Sequence, residues 1–127
     1  MTDPENTNTF VKQTPAFKMT EDVLGCKWSL TVLQLVRQGI SRPGSMVRSV
    51  EGLTTKVLNE RLRKLMRYKI LKRHAYPEIP PRVEYRLTPL GEKFIGILDQ
   101  LAELDEELES EISSNDSGIT SLLGRKI

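Results

Sequence analysis

Between Thr54 and Arg63 the chain reads Thr-Thr-Lys-Val-Leu-Asn-Glu-Arg-Leu-Arg, and its polar members belong to the types that address nucleic acid. An asparagine amide can pair with both edge atoms of adenine, and Arg or Lys can meet guanine or a phosphate. Threonine hydroxyls can reach the sugar-phosphate backbone. Thr54, Thr55, Lys56, Asn59, Glu60 and Arg63 are therefore candidate contacts to duplex DNA, with Arg61 and Lys64 flanking them. Arg82, just after Pro80-Pro81, could enter a minor groove or clamp a phosphate. It could equally form an exposed salt bridge to Glu78 or Glu84. Arg42 and Arg48 would sit near the backbone of a docked duplex, and Lys72, Arg73 and His74 would add to a basic surface.

Little else in the chain offers chemistry. One cysteine, Cys26, cannot form an internal disulfide, and one Cys with one His cannot complete an ordinary zinc site. Neither a structural metal nor a cofactor is expected. Cys26 stands beside Lys27 near the start of a helix, a setting that favours a reactive thiolate and makes it a candidate redox sensor. The competing reading is a small buried thiol with a packing role. His74 reads as an ordinary strand side chain rather than a pH sensor. With no phosphate-cradling glycine loop, nucleophile motif or metal-ligand set, the composition argues against an enzyme.

The net charge of +2 conceals a strong division. Residues 27–93 hold 15 Lys+Arg against 5 Asp+Glu, whereas residues 1–26 hold 2 against 4 and residues 94–127 hold 2 against 8. A basic block between two acidic ends is what a polyanion would meet, because neutralising phosphates releases condensed counterions. No apolar run approaches the roughly 20 residues needed to span a bilayer, and the polar start lacks the layout of a secretory signal, so a cytoplasmic protein with no membrane partner is expected.

Several elements must position these residues. A short helix is expected from about Phe17, broken at Gly25-Cys26-Lys27, and a second over Trp28 to Val36, ended by Gly39. Trp28 reads as core or dimer surface. Ser41-Arg42-Pro43 opens a third helix, with Ser41 or Arg42 in the cap region. Thr54 caps a fourth that runs to about Tyr68, on which Leu58, Leu62 and Leu65 share one face and the candidate DNA contacts lie opposite. Two short helices joined by a glycine-containing turn, the second buried on its leucine side, describe a helix-turn-helix. A hairpin then follows over Ile70–Tyr76 and Arg82–Leu87, with Val83, Tyr85 and Leu87 inward and Arg82, Glu84 and Arg86 facing water. Its proline-laden tip makes it a wing.

Thr88-Pro89 opens a long last helix, with Glu92 as capping partner. Its stripe Leu90, Phe94, Ile97, Leu98, Leu101, Leu104 and Leu108 is too long for one small domain to bury. Together with Phe17 it is the expected dimer interface.

Three segments resemble the HxlR family of transcription regulators: Gly25-Cys26-Lys27-Trp28, Lys56 to Leu65, and Tyr76-Pro77-Glu78-Ile79-Pro80-Pro81-Arg82-Val83-Glu84-Tyr85-Arg86-Leu87-Thr88-Pro89-Leu90-Gly91. The resemblance covers about Pro15 to Leu104, and the third segment is highly specific. It implies a homodimeric winged helix, held by its first and last helices, that binds a pseudo-palindromic operator and represses or activates nearby genes. The chain departs from the family in two places. The cysteine before a proline that several members use to sense oxidants or electrophiles is replaced here by Pro15-Ala16, and the usual Gly-Gly-Lys-Trp is Gly-Cys-Lys-Trp.

The expected fold is therefore α+β and mostly helical, a winged helix-turn-helix with a two-stranded β-wing and extra N- and C-terminal dimerisation helices. A loose arm over residues 1–14, a domain over 15–110 and a flexible tail over 111–127 are expected. The expected function is a non-enzymatic regulator that binds double-stranded DNA as a homodimer, open to a redox or small-molecule signal whose effector no residue announces. A winged-helix module for binding proteins, without sequence-specific DNA binding, is the alternative.

Overall fold

Thr14 anchors the start of the described chain. In the computed structural model, which describes residues 14–115, its hydroxyl accepts the Phe17 amide at 3.1 Å and caps helix α1 (Pro15–Gly25). Pro15 takes the first turn, where a missing amide costs nothing. The helix ends at Cys26, whose backbone is extended. Trp28, expected inside the second helix, instead precedes it with a left-handed φ of 79°, and helix α2 spans Ser29–Arg37. Gly39, at φ 91°, closes α2 as expected, with the Ile40 amide bonded back to the Leu35 carbonyl at 2.9 Å.

Helix α3 (Pro43–Ser49) starts after Arg42 without a side-chain cap. A turn through Gly52, φ 94°, leads to helix α4 (Thr55–Arg67). The Trp28 ring lies over that turn, 3.6 Å from where a side-chain carbon at position 52 would stand. Thr54 caps α4 by accepting the Val57 amide at 3.2 Å, and a cap of this kind stabilises a helix by about 1 kcal/mol. Helix α4 packs on α2 and α3 through Leu58, Leu62 and Leu65, each at most 1% exposed. Each such leucine contributes roughly 1.5–3 kcal/mol by leaving water.

Strands β1 (Leu71–Tyr76) and β2 (Arg82–Leu87) form one antiparallel ladder, with Leu71 opposite Leu87 and Tyr76 opposite Arg82. Two backbone bonds fasten it at its base and flank. The Tyr85 amide donates to the Ser41 carbonyl at 2.8 Å, and the Thr88 amide to the Ile70 carbonyl at 3.0 Å. Helix α5 (Pro89–Asn115) opens under Thr88, whose hydroxyl accepts the Gly91 amide at 2.9 Å. It continues through 111–115, into the segment expected to be a loose tail. The remainder of that tail, and residues 1–13 of the expected arm, lie outside the described residues.

The chain forms two units, Met1–Gly91 and Glu92–Ile127. The first carries the winged helix-turn-helix, with a core of Val23, Val32, Leu33, Met46, the three α4 leucines and Ile70. The second carries most of α5. No helix among the described residues is long and apolar enough to cross a membrane.

Candidate nucleic-acid interface

Helix α4 has two faces because about 100° separates consecutive residues, so the positions opposite Leu58, Leu62 and Leu65 must face outward. Thr54, Thr55, Lys56, Asn59, Glu60 and Arg63 are all exposed, and the helix brings the last five to one side, with Arg67 beyond them. Arg61 and Lys64, which flank that face in sequence, turn away from it. Arg61 Nε donates to the Lys27 carbonyl at 2.7 Å, and Lys64 is held against α1.

The wing departs from expectation at Glu84. Strict alternation places this residue in water, yet its side chain is only 15% exposed. Its Oε1 accepts Arg86 Nη2 at 2.8 Å and the Tyr76 hydroxyl at 3.2 Å. On the other oxygen, Arg82 Nε stands at 3.8 Å and Arg42 Nε at 4.0 Å. The Arg86 guanidinium, assisted by the Tyr76 hydroxyl, holds the Glu84 carboxyl below its usual range, and Glu84 in turn raises Arg86.

Arg82 forms both of the bridges weighed for it, to Glu78 at 3.2 Å and more loosely to Glu84, and it stacks 3.9 Å above the Tyr76 ring. Arg42 is about half exposed. Together with Arg82, Glu78, Pro43, Pro80, Pro81 and Val83 it lines an open cleft of about 480 Å³ beside the wing tip. Lys72 and His74 lie on the same hairpin face as Glu84, whereas Arg73 lies on the other. Arg48 is exposed on α3.

A second polar cluster joins α1 to α4, and single residues did not announce it. Lys64 Nζ donates to Asp22 Oδ1 at 2.8 Å and lies 2.7 Å from Cys26 Sγ, while the Tyr68 hydroxyl donates to Asp22 Oδ2 at 2.5 Å. The cation beside the thiol is thus Lys64. Lys27, the expected neighbour, lies 5.3 Å over the Trp28 ring. Hydrogen bonds from Lys64 and then Tyr68 hold the Asp22 carboxyl below its usual range. The same carboxylate pushes Lys64 and Tyr68 up. A spacing signal existed: Asp22 and Cys26 are four residues apart across the end of α1, as are Lys64 and Tyr68 across the end of α4.

Along α5, Leu90, Ile97, Leu101, Leu104 and Leu108 are 43–58% exposed. Leu98 and, on α1, Phe17 are half-buried. Phe94, expected in the same stripe, is only 2% exposed. Among the described residues no group of three or more His, Cys, Asp or Glu is placed to hold a metal ion.

Comparison with known proteins adds four findings. Residues 23–113 match the model of the HxlR-like helix-turn-helix family. The HTH-type transcriptional regulator sll1512 of Synechocystis sp. is 42% identical over 91 residues, which cover 71% of this chain and 67% of that one. Among solved structures, a transcriptional regulator of the MarR family from Enterococcus faecalis V583 superposes with a TM-score of 0.68 at 28% identity, covering 90% of this chain and 96% of that one. The redox regulator HypR in its reduced form does so at 0.64 and 30%, covering 80% and 99%.

Proposed function

The chain belongs to the HxlR-like helix-turn-helix family of winged-helix transcriptional regulators, and from that premise we propose that it binds a pseudo-palindromic operator in duplex DNA as a homodimer. One observation carries this reading: Thr55, Lys56, Asn59, Glu60 and Arg63 form a single exposed side of α4, backed by a fully buried leucine face. The major groove admits one helix, and these side chains are the types that read its base edges. Thr54 and Thr55 take backbone phosphates, Asn59 addresses adenine, and Lys56 and Arg63 take guanine or phosphate. Arg82 and Arg42 reach the flanking backbone from the wing and the start of α3. The excess of ten positive charges over residues 27–93 draws the duplex in. No catalytic step is assigned to the protein.

Dimerisation is supported by the exposed apolar row on α5, which a second copy of the chain would cover. A pair of α4 helices related by a two-fold axis then reads two half-sites about one helical turn apart.

The test is a gel-shift titration with the operator and with single-base variants of it. Asn59→Ala or Arg63→Ala should each reduce discrimination by about 1–3 kcal/mol while sedimentation still reports a dimer. Unchanged operator preference in both variants would refute the assignment of α4.

A second reading concerns Cys26. The similarity to HypR and the Lys64 ammonium against the thiol support Cys26 as a thiol through which oxidation loosens or tightens the contact between α1 and α4.

A further inference from the structure

The outward face of the wing pairs Tyr76 with Arg82, His74 with Glu84, and Lys72 with Arg86, so a single carboxylate stands amid basic groups. Glu84 is also the most covered member of its ion pairs, at 15% exposure against 30% for Arg82, 52% for Arg42 and 58% for Arg86. Three guanidiniums from two parts of the fold converge on it. A DNA phosphate likewise presents anionic oxygens to arginine forks, and Glu84 meets the Arg86 guanidinium at 2.8 Å in the same way.

The site is incompletely satisfied. Two carboxylates, Glu84 and Glu78, cannot neutralise three cations, Arg42 at 4.0 Å is beyond hydrogen-bond reach, and Arg82 Nε is buried without a hydrogen-bond partner. Arg82 is nevertheless the most restrained of the three, held by Glu78, Glu84 and the Tyr76 ring.

We propose that Glu84 is an internal counter-charge that occupies Arg86 and, with Glu78, restrains Arg82, and so weakens the wing's grip on duplex of arbitrary sequence. This rests on the DNA-binding reading above. Glu84 acts as a positioning residue. It need not touch DNA, and it suppresses the sequence-independent part of the affinity that a regulator must keep low to find its operator among competing sites.

The experiment titrates a random-sequence duplex with wild type, Glu84→Gln and Glu51→Gln across a range of salt. Glu51 is an exposed carboxylate in the turn before α4 and reports the effect of simply removing one negative charge. Glu84→Gln should bind roughly tenfold more tightly at low salt, and its slope of log affinity against log salt should steepen by about 0.9 for each guanidinium newly placed on a phosphate. In a double-mutant cycle, Arg86→Ala should cost little in wild type and several-fold in Glu84→Gln. The wild-type half of that cycle needs no change at Glu84. If Arg86→Ala weakens wild-type binding as much as Arg63→Ala does, Arg86 is not withheld and the proposal fails. It also fails if Glu84→Gln merely matches Glu51→Gln in affinity and slope. Absence of any salt-dependent duplex binding in every protein would instead overturn the DNA-binding reading, and this proposal with it.

Discussion

Gly91→Ala isolates a close approach between the end of the wing and the start of α5. A methyl group added at Gly91 would stand 2.2 Å from the Ile70 carbonyl oxygen, 3.1 Å from its carbon and 3.2 Å from Leu87 Cδ2. The first distance is about 1 Å short of an ordinary contact, and the obstacle is backbone, which cannot swing aside as a side chain can. That carbonyl also accepts the Thr88 amide at 3.0 Å, and the Thr88 hydroxyl caps α5 through the Gly91 amide at 2.9 Å. Relieving the clash must therefore lengthen one or both bonds, at about 1 kcal/mol each. Overpacking adds about 1–3 kcal/mol, and the better helix propensity of Ala returns up to about 1 kcal/mol. The net expectation is a loss of about 1–5 kcal/mol.

Gly96→Ala is the matched control, because nothing lies within 4 Å of its added carbon. It should be neutral or stabilising by up to about 1 kcal/mol. Urea unfolding at one fixed protomer concentration measures both, since the stability of an associating protein depends on concentration. A Gly91→Ala protein as stable as Gly96→Ala would refute the argument.

Two further perturbations address the cluster between α1 and α4. Because Asp22 is held below its ordinary value of 3.8, its contribution is present above the unfolded-state pKa and is lost as pH falls through the folded-state value. The raised Lys64 has the opposite sign, its contribution being full below 10.5 and lost only as pH rises through its folded-state value in the alkaline range. Asp22→Asn should therefore lower the urea midpoint at neutral pH and flatten its decline below about pH 4; equal acid slopes in mutant and wild type would exclude this role. Cys26→Ser should abolish any peroxide-induced, several-fold change in operator affinity, and an identical oxidant response in the variant would eliminate Cys26 as the responsive group.

Much of the architecture was legible in local patterns. Leu58, Leu62 and Leu65 repeat with the period of a helix and set which side of α4 faces out. Thr54 and Thr88 announced caps, and each accepts the expected kind of amide. Gly39 marked a left-handed helix end, and the prolines at 77, 80 and 81 marked the wing tip. These features depend on residues within a turn or two of one another, so periodicity and backbone preference suffice to read them.

What the chain order did not disclose is which charges meet. Lys64 rather than Lys27 stands beside Cys26, Arg61 spends its guanidinium on the Lys27 carbonyl, and Glu84 is drawn out of water by arginines on either side of it and by Arg42 from another element. Arg61 and its acceptor are 34 residues apart, and Asp22 lies 42 residues from Lys64 and 46 from Tyr68. Local propensity decides which way a side chain points from its own helix or strand. Which partner it finds there is decided only when the apolar faces have packed, because a charge leaving water settles on whichever opposite charge or carbonyl the packed backbone brings within about 3 Å.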